Sequence, residues 1–187
     1  MAEVCFVTSN KHKYEEVLEV AIPLNIKLDY CGDLKLEFQG IEIEEIVAKS
    51  AMLAYIYLNR PVLVEDAGLF IDALNGFPGP YSSYVYKTIG ISGLLKLLQG
   101  ESNRKAHFKS AAAIALKNKL LLATGVVYGE ITHEPRGVRG FGFDPIFAPD
   151  GKEKTFAEMS VLEKNQYSHR AKAVSRVFKE YLNLTST

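Results

Sequence analysis

Four short stretches of this 187-residue chain gather residue types that attract anions, hold hard cations or stack on flat rings. The first is Thr8-Ser9-Asn10-Lys11-His12-Lys13, which leaves the β-rich run beginning at Val4 and leads into Tyr14, Val17, Leu18 and Ala21 at three- and four-residue spacing. A helix starting there exposes backbone N–H donors, and its dipole favours an anion beside them. Lys11 and Lys13 sharpen that attraction. The same residues also read as a plain N-cap, because Ser, Thr and Asn are common helix starters. No GxxxxGK[ST] pattern is present, so the segment is not a P-loop.

The second stretch, Val62-Leu63-Val64-Glu65-Asp66-Ala67-Gly68, reads as an apolar strand that ends on two acids, and Glu37 follows another strand-like run. Hard cations such as magnesium prefer carboxylate oxygens. Either Glu65 or Asp66 is also placed to orient a water molecule, whereas solvated turn residues would give the same pattern. The third stretch is Phe141-Gly142-Phe143-Asp144-Pro145, preceded by Arg136 to Gly140. Rings beside flexible glycines, with an acid at the rim, suit a stacking pocket, and core packing of Phe143 or Phe147 is the competing reading. In the fourth, Ser168-His169-Arg170 opens the last helical pattern, with Lys164 upstream. Ser168 caps it while the basic groups face an anion or simply the solvent. His12, His107 and His133 form no zinc spacing.

The elements that must hold these stretches follow from hydrophobic period. Val4 to Thr8 predicts a strand, and Ile26 to Phe38 alternates twice about a Gly32-Asp33 turn, predicting two extended segments. Ile43, Ile46, Val47, Ala51, Ala54 and Leu58 mark a long helix that Asn59-Arg60-Pro61 ends. Gly76-Phe77-Pro78-Gly79-Pro80 reads as an exposed turn that continues no regular element and could hinge two lobes. Ala106 to Leu116 and Leu120 to Ile131 predict a long hairpin across Lys117-Asn118-Lys119. The final amphipathic helix begins near Ser168 and carries Ala171, Val174, Val177, Phe178, Tyr181 and Leu182. Strand–helix alternation followed by a hairpin predicts an α/β fold with a mixed sheet.

Composition narrows the class further. Hydrophobic residues are 48% and charged residues 24%, as in a globular protein with a substantial core, and the length suits a single domain over 1–187. Lys plus Arg and Asp plus Glu both number 22, so no general attraction to nucleic acid or membrane is expected and any anion site must be local. Cys5 and Cys31 have no metal-ligand spacing and are expected as buried reduced thiols. No signal peptide or membrane span is evident, which makes a cytoplasmic location the default expectation.

Taken in order, TSNKHK, EDAGL, GFPGPY, GFGFDPIF and EKNxxSHR resemble the inosine triphosphate pyrophosphatase family, also called XTP/dITP diphosphatases, over roughly Val4 to Val174. The resemblance implies an elongated mixed β-sheet flanked by helices, with two lobes around a nucleotide-binding cleft, and a homodimer. It implies that Thr8, Ser9, Asn10, Lys11, His12 and Lys13 form a phosphate-binding segment, with Lys49 approaching the triphosphate. Glu37 and Asp66 match acids that hold magnesium (Mg2+), and Asp66 also matches the general base, with Glu65 in support. Phe141, Gly142, Phe143 and Asp144 match the base pocket, Phe141 as its stacking ring, and Lys164, His169 and Arg170 match the residues that read the six-membered purine edge. Ala67 stands where many relatives carry Ser and Ser83 where some carry Lys, so side-chain contacts there are in doubt, although Ala67 still offers a backbone N–H.

The implied reaction is hydrolysis of non-standard purine triphosphates such as ITP, dITP and XTP to the monophosphate and pyrophosphate. It needs charge neutralisation at the phosphates and a group that orients water. A nucleotide-binding regulator without turnover is the alternative, which intact Asp66, Glu37, Lys13 and Lys49 oppose. The related septum-formation-inhibitor type of pyrophosphatase lacks the GFGFDP and SHR signatures.

Overall fold

The computed structural model describes residues 2–32, 34 and 38–185. Its first half alternates strand and helix as the periodicity predicts: β1 (Ala2–Phe6), α1 (Lys11–Ala21), β2 (Ile26–Tyr30), α2 (Ile43–Leu58) and β3 (Val62–Ile71). β2 and β3 both lie parallel to β1, the pairing that helical crossovers produce. Asn59 ends α2 in the left-handed conformation, with φ of 47°, and Pro61 follows. After the two-residue β4 (Pro78–Gly79) come α3 (Ser82–Thr88) and α4 (Gly90–Leu97), then the hairpin β5 (Lys105–Leu116) and β6 (Lys119–Ile131). β7 (Phe147–Pro149), α5 (Val161–Asn165) and α6 (His169–Thr185) complete the chain.

The strands form one seven-stranded mixed sheet in the order β2-β1-β3-β5-β6-β7, with β4 attached to β3. The change from parallel to antiparallel falls at β3, which pairs antiparallel with β5 along its whole length from Val62↔Ala115 to Ile71↔Ala106. Three apolar clusters cover this sheet. One, built on Phe6, Leu63, Ile114, Val17, Val174 and Phe178, lies beneath α1 and α6. A second, with Val47, Ala51, Val62 and Ala113, lies beneath α2 on the other face. A third, with Leu69, Leu94, Phe108, Phe147 and Phe156, fills the far end. Alternation along β3 and β5 puts Leu63 and Ile114 in the first cluster and Leu69 and Phe108 in the third. Glu65 and Ser110 fall on that same face where one cluster gives way to the other. This pair makes a polar seam between the two apolar clusters. Among the described residues no helix is long and apolar enough to cross a membrane.

Three expectations change. Cys5 and Cys31 are disulfide-bonded instead of reduced, because Cys31 extends the β2 chain past β1 and its N–H meets the Phe6 carbonyl at 3.0 Å, leaving Cα atoms 6.0 Å apart. Pro78 and Gly79 are buried and pair with Phe70 and Leu69 instead of forming an exposed turn. Proline is tolerated in this short edge strand because its missing N–H is not needed there. The acids Glu65 and Asp66 sit in the middle of β3, not at a strand end. The expected second extended segment lies largely outside the described residues, as does Glu37.

Candidate active site

Asp66 is reachable because, among the described residues, the edge of β3 is paired only in part. β1 pairs with Val62 and Leu63, and β4 pairs with Leu69 and Phe70. Among the described residues neither strand pairs with Val64 to Gly68, and the chain leaving β1 turns into α1 beside that gap. Thr8 Oγ1 accepts from the Asn10 N–H at 3.1 Å, and Asn10 Oδ1 caps the helix by accepting from the His12 and Lys13 N–H groups at 3.0 and 3.3 Å. That cap aims Lys13 back across the sheet. Its Nζ lies 3.1 Å from Asp66 Oδ1 and 3.2 Å from Glu65 Oε2.

Glu65 and Asp66 are adjacent in sequence yet differ in environment. The Glu65 side chain is fully buried, receives the Ser110 hydroxyl at 2.6 Å and faces Arg170 Nε at 3.0 Å as an ion pair. Burial pushes its pKa up, but the charges of Arg170 and Lys13, with the Ser110 hydrogen bond, outweigh that effect and hold it at about 2. Glu65 is therefore a fixed anion, held by the Ser110 hydroxyl at one oxygen and facing the cations Lys13 and Arg170 with the other. The Asp66 side chain is 35% exposed and accepts from the Ala67 N–H at 2.9 Å. Of the pair, Asp66 is the one that can meet a ligand or a water. Burial lowers the Lys13 pKa, and Glu65 and Asp66 more than reverse it, so Lys13 remains a cation.

A second set of buried charges adjoins the first. Lys164 Nζ donates to Glu16 Oε1 at 2.7 Å and to Asp144 Oδ2 at 2.6 Å, and Arg170 Nη1 donates to Glu16 Oε2. Asp144 Oδ2 also accepts from the Phe141 N–H at 2.9 Å, which ties the glycine-rich loop to Lys164. Burial, with Glu16 nearby, raises the Asp144 pKa against the pull of Lys164. His169 is buried, stacks on Phe108 with centroids 4.7 Å apart, and has no hydrogen-bond partner at Nδ1 among the described residues. Burial, then the cations Arg170 and Lys164, push its pKa well below 6.5, so it is a neutral imidazole at pH 7. Lys164 Nζ and Arg170 Cζ lie 5.2 and 5.3 Å from the centroid of Phe141, which is itself half-buried.

Lys13, Asp66, Asp144, Phe141, Lys164, His169 and Arg170 thus gather in one region. Phe143 and Phe147 belong to the core cluster instead. Ser9, Lys11 and His12 are exposed on the turn entering α1, and Gly142 has a positive φ of 60° in the loop. Lys49 is not drawn in: it is exposed and pairs with Glu45 at 3.2 Å on its own helix. The Ala67 N–H is engaged by Asp66, and Ser83 is exposed. Two central residues escaped the sequence reading. Ser110 looks like one small residue in an alternating strand, and Glu16 looks like a charge on an amphipathic helix, yet both are buried. The one local signal for Glu16 is its neighbour Val17, which places it close to the buried stripe of α1.

The chain belongs to the Ham1 family, whose profile matches residues 4–180. The dITP/XTP pyrophosphatase of Hyperthermus butylicus is 54% identical over 91% of this chain and 90% of its own length. That of Saccharolobus solfataricus is 47% identical over 94% and 91%. The solved structure of a HAM1 protein from Coxiella burnetii superposes with a TM-score of 0.86 at 32% identity, covering 98% of this chain and all of that one.

Proposed function

We infer that this chain hydrolyses non-standard purine nucleoside triphosphates (ITP, dITP and XTP) to the nucleoside monophosphate and pyrophosphate. The observation that carries the reading is Lys13 bridging Asp66 and Glu65 in the gap of β3, beside the buried Lys164–Glu16–Arg170 cluster on Phe141. Relatives named dITP/XTP pyrophosphatase, at 43% to 54% identity over nearly the whole chain, support it.

In this reading the triphosphate lies along the N-terminal turn of α1, where Lys13 offsets its charge. Asp66 orients a water toward the α-phosphorus and takes its proton as the pyrophosphate leaves. Glu65 keeps Lys13 and Arg170 in place. The half-exposed Asp66 carboxylate suits a hard divalent cation, and Asp66 with Glu37 would hold Mg2+, which supplies further charge neutralisation at the phosphates. Among the described residues no group of three metal-ligating side chains forms, so the second ligand is assigned to Glu37 on the family resemblance alone.

The purine lies on Phe141, with Lys164, His169 and Arg170 at its edge. Lys164 has three N–H donors, of which Glu16 and Asp144 take two, leaving the third to reach O6. Adenine presents an amino group there and would leave such donors unpaired, at about 1–3 kcal/mol each. Pyrophosphate release from ITP, XTP, dITP, GTP and ATP tests the assignment: ITP and XTP should exceed ATP by at least roughly tenfold in kcat/KM. Asp66→Asn should nearly abolish release while the protein stays folded. Absence of release from every purine triphosphate, or near-normal release by Asp66→Asn, would overturn the reading.

We further propose that the protein is a single domain, works in the cytoplasm and forms a homodimer. Met52, Ile56 and Tyr57, exposed on α2, give a second copy an apolar surface to cover. Light scattering should return twice the 20.8 kDa chain mass, and a monomer at micromolar concentration would reject the dimer.

A further inference from the structure

We propose that His12 is the second wall of the purine slot, so that the base is held between the His12 and Phe141 rings. The proposal rests on the reading of Phe141 as the stacking ring. His12 occupies the first turn of α1, where the family resemblance speaks only of phosphate. Its imidazole, however, lies parallel to Phe141, with an interplanar angle of 11° and centroids 5.7 Å apart. A centroid distance above one contact layer of about 3.5 Å and below the two layers of about 7 Å that enclose an inserted ring describes an offset stack with no base between.

Among the described residues His12 is held only loosely in that position. Its side chain is 58% exposed, and its one ion-pair neighbour is Glu15, 3.7 Å away and 61% exposed. Exposed side chains of this kind change rotamer in picoseconds to nanoseconds, so the ring can swing outward by about one ring thickness, about 3.5 Å. Phe141 is held more closely, because Asp144 ties down its backbone N–H and the buried Lys164 and Arg170 lie 5.2 and 5.3 Å from its ring centroid. One wall is therefore the more restrained and the other adjustable. The inserted base then covers a ring that otherwise faces water, and the wall stands on the same helical turn whose lysine serves the phosphates. Binding of the base and of the triphosphate is thereby joined through a single capped turn.

Stacking accepts every purine, so this wall adds affinity without choosing the base. His12→Ala should raise KM and the calorimetric Kd for ITP, XTP and ATP alike, by roughly tenfold. Its kcat should stay within about twofold and its ITP-to-ATP ratio should be unchanged. His12→Phe should restore binding to near the wild-type value. Inorganic tripolyphosphate, which has no base, should bind His12→Ala as it binds the wild type. An unchanged KM would overturn the proposal, and a lowered one would make His12 an obstruction to the slot. Loss of tripolyphosphate binding would return His12 to the phosphates and also overturn it. The wild-type protein separates the two readings: if it binds ITP without releasing pyrophosphate the proposed hydrolysis fails, while the Kd ratios still decide the wall.

Discussion

At the scale of the residue, the arrangement depends on a carboxylate that its type alone would assign to the surface. Glu16 is 3% exposed and faces both Lys164 and Arg170, so it neutralises the pair expected to read the purine edge. Burial raises its pKa, but Arg170 and then Lys164 overcome this and leave it lowered and ionised. Removing one member of such a buried set leaves uncompensated charge, at a cost of about 3–5 kcal/mol. Glu16→Gln should lose stability of that order in urea unfolding. It should also lower the ITP-to-ATP ratio of kcat/KM by roughly tenfold, since ITP loses a bond that adenine never made. A normal ratio in a folded Glu16→Gln protein would show that Lys164 and Arg170 do not depend on it for their positions. Lys13→Ala should instead slow all triphosphates alike.

At the scale of the element, the position of α6 decides where His169 and Arg170 point, and one glycine sets that position. A Cβ at Gly125 of β6 would stand 2.1 Å from the His169 carbonyl oxygen and 2.7 Å from the Ala173 nitrogen, both backbone atoms that cannot rotate away. The absent side chain is what lets the first turn of α6 lie against the sheet. Gly125→Ala should therefore push the helix off β6, at about 1–3 kcal/mol. That loss corresponds to a fall in Tm of roughly 2–4 °C for each kcal/mol in a chain of this size. Because the shift moves His169 and Arg170 together, base selectivity should fall with stability, and a variant with unaltered Tm and selectivity would refute the close approach. The hairpin β5–β6 and the helices α1, α2 and α6 were legible from period alone. The short α3 and α4 were not, since Gly90 and Gly93 interrupt the apolar spacing, and β4 was hidden by residues that normally end strands.

At the scale of the whole molecule, the buried charges make stability depend on pH. The Glu65 pKa is about 2 in the folded chain against an ordinary 4.5, so the unfolded chain binds its proton first. Its contribution, about 3 kcal/mol, is complete above pH 4.5 and is lost as the pH falls toward 2. Glu16, also lowered, acts in the same direction. His169 lies well below 6.5 when folded, so its loss begins earlier, as the pH drops through 6.5. Asp144 opposes them, because its raised pKa lets the folded chain take up a proton before the unfolded one. Because the lowered groups outweigh Asp144, Tm should begin to fall below about pH 6.5 and fall steeply below pH 4.5. Thermal unfolding from pH 8 to 3 checks this. A His169→Phe variant should shrink the first step to the part left by His107, whose pKa burial also lowers, and keep the second, and a flat profile between pH 6.5 and 3 would contradict the buried network.

By itself the sequence determined the kinds and order of the main elements and the residue types available for chemistry. Period and capping are local properties, written within a few residues of each other. Asp66, Phe141, Asp144, Lys164, His169 and Arg170 could be singled out in that way, through acids after an apolar run, rings among glycines and bases at a helix start. Only the tertiary structure decided which groups face one another. Glu16 meets Lys164 across 148 residues and Glu65 meets Ser110 across 45, distances over which no local pattern is carried. It likewise joined Cys5 to Cys31 and separated the roles of Glu65 and Asp66, adjacent acids of one strand. One of them is buried among cations and the other is partly exposed, because among the described residues neither β1 nor β4 pairs with β3 between Val64 and Gly68. That gap follows from strand order and strand length, and burial, the quantity that fixes charge and chemistry, follows from it.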